Sequence, residues 1–200
     1  MNIKAIIFDF DGTILESVGV KTDAFAYLFK DYPEHLDAVL ALHKNHGGTS
    51  RLEKFEMIYK DILCRPLSSE KKAELGRQFA EYVYKGVVES PFVEGAGEFL
   101  EKYHSKMPLF IVSGTPEGEM RSIIKDRGLE KYFKKVYGSP LRKKNIILNI
   151  LEDFNFTSQE VIFVGDSADD KEGADGAGVR FILRTQENNP FLELEKIINI

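Results

Sequence analysis

Along the chain, apolar residues gather in five short runs, at positions 5–9, 109–113, 135–138, 161–166 and 180–183. Most are nearly continuous in Ile, Val and Phe and do not alternate with polar residues. A strand with one wet face alternates with period two, whereas an unbroken run belongs to a strand covered on both faces, as in a parallel sheet between helices. Between the later runs the apolar spacing becomes that of a helix, over 96–104, 117–127, 144–152 and 171–177. Strand–helix alternation of this kind predicts an α/β fold with a doubly wound, Rossmann-like parallel sheet.

The interval between the first and second runs breaks this rhythm. From about residue 16 to 88 no comparable strand appears, and apolar positions recur at helical spacing: Phe25, Leu28 and Phe29, then Leu36, Val39 and Leu40, then Leu52, Phe55, Ile58 and Tyr59, then Phe79, Tyr82 and Val83. This predicts an all-helical insertion of about four helices, punctuated by Pro33, Gly47-Gly48 and Pro66. Ser90-Pro91 marks the return. The expected division is therefore a core of 1–15 and 89–200 with a helical insertion of 16–88. Residues 189–200 read as a short amphipathic helix.

Composition narrows the class. At 200 residues the chain can bury one full core plus an insertion, and with 43% hydrophobic and 30% charged residues it is globular in type. The formal net charge of -5 points away from nucleic acid or an anionic membrane as main partner. It still admits an anionic small substrate, because local cations and a metal override the global sign. Cys64 is the single cysteine, so no internal disulfide forms and a reducing, cytoplasmic compartment is expected. In its context it reads as a small apolar residue at a helix end. The run 3–10 is interrupted by Lys4 and ends in acids, which fits neither a signal peptide nor a membrane anchor.

Polar residues stand at the carboxyl ends of the apolar runs, where open α/β sheets bind ligands. Asp9-Phe10-Asp11-Gly12-Thr13 closes the first. Two carboxylates at period-two spacing supply a nucleophile and a proton shuttle, Gly12 permits close backbone approach, and Thr13 offers a hydroxyl and an amide. A capped turn would explain Asp11-Gly12 but not an acid inside an apolar strand end. Ser113 closes the second run, followed by Gly114, with Thr115 as the expected N-cap and Pro116 as first helical residue, an arrangement suited to a phosphate oxygen. Any well-capped helix looks similar. In Arg142-Lys143-Lys144, Lys143 or Lys144 would stabilise a pentacoordinate phosphoryl group, although such a run also fits a solvated helix start. Asp166, Asp169 and Asp170 follow the fourth run, and clustered acids beside two more repel one another unless a cation such as Mg²⁺ joins them.

As a set, Asp9-x-Asp11-Gly12-Thr13, Ser113, Lys143 and Gly165-Asp166-x-x-x-Asp170 resemble the four motifs of the haloacid dehalogenase superfamily, over essentially the whole chain. The resemblance implies that Asp9 is a nucleophile forming an aspartyl-phosphate and that Asp11 is the general acid/base. It also implies that Mg²⁺ is held by Asp9, the Asp11 carbonyl and Asp166 with Asp170 assisting, and favours Lys143 over Lys144. Asp11 sets the chain apart from the dehalogenating branch, which lacks the second acid. The insertion resembles the cap of the phosphoglycolate-phosphatase and β-phosphoglucomutase branches, and 48–51 resembles the Gly-x-Ser-Arg stretch of the sugar phosphomutases. Within His46-Gly47-Gly48-Thr49-Ser50-Arg51, Arg51 is the candidate for a second anionic group, while Ser50 capping the next helix with Arg51 exposed is the plainer account; a solvent-facing His46 is expected. The expected activity is Mg²⁺-dependent hydrolysis of a small phosphorylated metabolite by a monomer or weak homodimer. A sugar-phosphate mutase and a non-catalytic phospho-ligand-binding domain are the alternatives.

Overall fold

In the computed structural model, which describes residues 3–46, 49–185 and 187–198, the chain forms β1 (Ala5–Phe8) and then four helices: α1 (Val18–Leu28), α2 (Leu36–Asn45), α3 (Arg51–Met57) and α4 (Ser69–Glu89). It continues as α5 (Ala96–Tyr103), β2 (Leu109–Pro116), α6 (Glu117–Asp126), β3 (Lys135–Ser139) and α7 (Lys143–Asp153). The remaining elements are β4 (Val161–Gly165), α8 (Ala168–Ala177), β5 (Arg180–Leu183) and α9 (Pro190–Ile198). Two units result, Met1–Glu16 with Ser90–Ile200, and Ser17–Glu89.

The first unit is the expected α/β fold. Its five strands are all parallel and ordered β3-β2-β1-β4-β5. β1 lies at the centre, with Ile7 opposite Phe110 on one side and Phe163 on the other. Every residue of β1 and β4 is buried, the physical reason their runs are unbroken. Ile146, Ile147 and Ile150 of α7 and Ala174 and Ala177 of α8 pack with Ala5, Ile7, Phe110 and Phe163 in one cluster.

The second unit is helical and centred on aromatic rings. Phe25 of α1, Phe55 of α3 and Phe79 of α4 meet pairwise at centroid separations of 5.1–6.1 Å, with crossed planes that suit their quadrupoles. α4 buries Leu75, Phe79, Val83 and Val87, a strict four-residue stripe. Ser50 caps α3 reciprocally with Glu53, and α3 runs on into a π-helical turn, Ile58–Ile62. Gly47 and Gly48 lie outside the described residues. No helix among the described residues is long and apolar enough to cross a membrane.

Several boundaries differ from expectation. β2 runs through Pro116, whose backbone is extended, so Thr115 is a strand residue and α6 begins at Glu117 without a side-chain cap. α8 begins at Ala168, three residues ahead of expectation, because Ser167 caps it reciprocally with Asp170. α7 takes in Lys143 as its first residue. Cys64 follows the π-helical turn in a left-handed conformation and is exposed, not packed as a small apolar residue.

Candidate active site

The carboxyl edge of the sheet in the first unit gathers the polar residues. The Asp9 amide donates to the Val164 carbonyl at 2.9 Å, which carries the β1–β4 ladder one residue past β1 and holds Asp9 beside the end of β4. Phe10 then turns into the core, and its carbonyl accepts the amides of Ile14 (2.9 Å) and Leu15 (3.1 Å). This tight loop requires Gly12 at φ +80°, a conformation costly for any residue with a Cβ. Asp11 is therefore held in place, 8% exposed, on a loop pinned at both ends.

From the end of β2, Thr115 Oγ1 donates to Asp11 Oδ2 at 3.3 Å, and the Thr115 amide donates to Ser113 Oγ at 3.1 Å. The β2–β3 register shifts between Val112 and Pro116, so residues 113–115 depart from the regular ladder, and the Thr115 side chain reaches Asp11. Ser113 is buried and Gly114 exposed. Thr13 is fully buried, and its hydroxyl makes no hydrogen bond among the described residues. That leaves a donor which a polar ligand would satisfy.

α7 contributes Lys143. Its Nζ donates to Asp9 Oδ1 at 2.9 Å and to Asp170 Oδ1 at 2.5 Å, with Asp169 Oδ2 at 3.9 Å. Lys144 is exposed. Asp170 is completely buried, and its other oxygen accepts the Ser167 amide (3.0 Å) and hydroxyl (2.5 Å), which fixes the carboxylate toward Lys143. Oxygens of Asp9, Asp166 and Asp170 lie within 4.8 Å of one another.

The electrostatics are strained in one direction. Burial pushes the Asp9 carboxyl well above the ordinary carboxylate range; Lys143 opposes this, while Asp170, Asp166 and Asp11 add to it. Asp166 is raised to about 6 by burial and by Asp170. For Lys143, burial would lower the ammonium, but the charges of Asp9 and Asp170 outweigh it and raise it above the usual lysine range. More negative charge is packed here than one lysine neutralises. Three hard oxygen donors fit a divalent cation of the Mg²⁺ type, whose charge would relieve that repulsion.

Of the sequence-predicted residues, Asp11 and Ser113 are linked through Thr115, and Asp9 and Asp170 through Lys143, with Asp166 close to Asp9 and Asp170 and with Gly12, Thr13 and Gly114 on the same loops. Arg51 belongs to the second unit. It is the first residue of α3, behind the Ser50 cap, with its guanidinium 5.6 Å from the Phe79 ring centroid. His46 is half-buried and bonds through Nδ1 to the Leu42 carbonyl. Sequence reasoning missed the bonds of Thr115 to Asp11 and of Ser167 to Asp170. The Ser-x-x-Asp spacing of a capping box was the signal for the second.

A family model described as haloacid dehalogenase-like hydrolase matches residues 6–184. Among curated proteins, the phosphorylated carbohydrates phosphatase of Thermotoga maritima is 24% identical over 90% of this chain and 84% of its own length. The phosphoglycolate phosphatase of Photorhabdus laumondii is 27% identical over 88% of this chain and 77% of its own. Among solved structures, a HAD-hydrolase of Bacillus subtilis bound to magnesium superposes with a TM-score of 0.77, at 19% identity and over 100% of both chains.

Proposed function

The chain belongs to the haloacid dehalogenase-like hydrolase family and is a phosphatase within it, and we propose that it hydrolyses a small-metabolite phosphomonoester with Mg²⁺ through an aspartyl-phosphate on Asp9. One observation carries this reading: Lys143 bonds Asp9 and Asp170 together at the strand ends, with Asp166 inside ligand distance of both. The curated relatives named for phosphorylated carbohydrates and phosphoglycolate support a small phosphorylated metabolite as substrate.

In the proposed reaction an Asp9 carboxylate oxygen attacks phosphorus, forming the aspartyl P–O bond as the ester P–O bond breaks. Asp11 gives its proton to the departing oxygen, then takes one from the water that cleaves the aspartyl-phosphate and restores Asp9. The Thr115 hydroxyl fixes the orientation of Asp11 for both transfers. Lys143 holds Asp9 in line and meets the charge that spreads over the phosphoryl oxygens. Ser113, Thr13 and the backbone at Gly12 and Gly114 bind those oxygens. Asp9, Asp166 and Asp170, with the Asp11 carbonyl, would hold Mg²⁺, whose chemistry there is to offset charge on the phosphoryl group.

The test is release of inorganic phosphate from p-nitrophenyl phosphate. Activity should require Mg²⁺, stop with EDTA, and fall by at least about a thousandfold in Asp9→Asn. Undiminished turnover by Asp9→Asn would sink the assignment of nucleophile. Interconversion of hexose phosphates without phosphate release would favour a mutase.

A further inference from the structure

One ion pair of the first unit joins two of the loops that carry the acids. Leu183, the last residue of β5, lies opposite Gly165, and the Arg184 amide extends that ladder by donating to the Gly165 carbonyl at 2.7 Å. The Arg184 backbone is thus fixed beside the residue that precedes Asp166. Its guanidinium donates through Nη2 to Glu16 Oε1, 168 residues away in the chain. Glu16 directly follows Leu15, whose carbonyl accepts the Gly12 amide at 2.7 Å and which forms a bridge with Asp11. In strand order β5 stands two places from β1, so a single residue links the loop after β1 to the ends of β4 and β5.

Other bonds hold the same loop from residues 91–93: the Glu16 amide donates to the Pro91 carbonyl and the Val93 amide to the Ile14 carbonyl, each at 2.9 Å. Those bonds fix the loop to the chain that follows the helical insertion, whereas Arg184 fixes it to the strand that delivers Asp166. An ion pair open to water adds little to stability, and Arg180 with Glu193, 3.6 Å apart at the start of β5, is of that kind. Arg184 differs from it, because its side chain is only 15% exposed and its planar fork holds one geometry. The pair is built to set a position more than to add stability.

We propose that Arg184, acting through Glu16, is a positioning residue for proton transfer by Asp11. It sets the loop bearing Asp11, Gly12 and Thr13 against the loop bearing Asp166. The proposal rests on the phosphatase reading. In that reaction the electron pair of the breaking P–O bond leaves on the ester oxygen, and the Asp11 proton goes to it. Asp11 must therefore come within about 2.6–3.2 Å of that oxygen. Asp11 and Asp166 belong to different strands, so no single stretch of backbone fixes their relation, and a misplacement of about 1 Å costs on the order of a hundredfold.

Reliance on that proton depends on the leaving group. Nitrophenolate departs readily without it, whereas phenolate, a stronger base, needs it more. In Arg184→Met, kcat/KM should fall about tenfold or more on phenyl phosphate and stay within about threefold on p-nitrophenyl phosphate. Arg184→Lys should recover part of the loss, and adding Glu16→Gln to Arg184→Met should change little further, because the two side chains act as one pair. Arg180→Met should leave both esters unaffected. Equal losses on both esters in Arg184→Met, or the same pattern in Arg180→Met, overturn the proposal. A second measurement needs no turnover: amide hydrogen exchange followed by NMR in EDTA. In Arg184→Met the Gly12 amide should lose protection by about tenfold or more while the Ile7 amide within β1 keeps its own; unchanged protection at Gly12 overturns the proposal. If the wild type hydrolyses neither ester, the phosphatase reading falls, and the exchange at Gly12 alone decides whether Arg184 holds the loop.

Discussion

Lys143 is the side chain on which the candidate site turns, because it stands between acids that would otherwise repel one another. Replacing it with methionine keeps its length and removes its charge, leaving Asp9 and Asp170 buried without a counter-ion. Two consequences separate its roles. The rate should fall by about 10²–10³, the usual size of a lost electrostatic stabiliser. In EDTA the protein should also be destabilised by about 3 kcal/mol or more, as when one partner leaves a buried pair. Mg²⁺ should restore much of the stability but not the rate, because a cation can balance Asp9 and Asp170 without replacing the bonds that Nζ offers the phosphoryl oxygens. Steady-state kinetics and calorimetry with and without Mg²⁺ read both. Lys144→Met should change each by less than twofold in rate and about 0.5 kcal/mol in stability, since that side chain is exposed. A reversed order between the two lysines would reassign the role.

Elements place these residues only where their backbones come close. A Cβ built on Gly165, at the end of β4, would lie 2.4 Å from Asp170 Cγ and 2.5 Å from its Cβ. Gly165→Ala should therefore displace the first turn of α8, costing about 1–3 kcal/mol as overpacking does, and break the Lys143–Asp170 bond with it. Gly114→Ala meets nothing within 4 Å and should leave the melting temperature unchanged; similar losses in both variants would refute the steric account. The same local geometry explains what could be read in advance. Strands buried on both faces announce themselves through unbroken runs such as Ile6–Ile7–Phe8, and the acids at their ends follow from topology. The end of β2 could not be read, because Thr115-Pro116 satisfies the rules for a helix start, yet the shifted β2–β3 register keeps the chain extended there. Asp170 was legible as an acid of the site but not as the residue that caps α8 with Ser167. The bond from Arg184 to Glu16 was hidden entirely, because neither residue's neighbours foretell a partner 168 positions away that only the strand order brings close.

On the scale of the whole molecule, the crowded acids link stability to pH with opposite signs in the absence and presence of metal. Asp166 is raised from 3.8 to about 6 in the folded protein, and Asp9 is raised as well. Between about pH 4 and 6 the folded state thus binds protons that the unfolded chain does not, so the metal-free protein gains stability from these groups as pH falls through that window. For partly exposed Asp166 the gain is of order 1 kcal/mol. Lys143 is raised and stays charged in both states here, so it adds no slope. His43 opposes: lowered from 6.5 to about 4 by burial and by Lys54, it withdraws stability as pH falls through that range. The contribution of Asp166 is isolated by comparison with Asp166→Asn, which is neutral throughout. In EDTA, wild type should gain on the variant as pH is lowered from 7 to 5. With Mg²⁺ at a hundredfold its dissociation constant, wild type at pH 7.5 should be stabilised by about 2.7 kcal/mol. That increment should fade as pH drops through about 6, where protons compete for the same oxygens. Thermal melts across pH, with and without the metal, decide it. Parallel curves for the two proteins in EDTA would remove Asp166 as the source of the slope, and an undiminished Mg²⁺ shift in Asp166→Asn would take this residue out of the cation's ligand set.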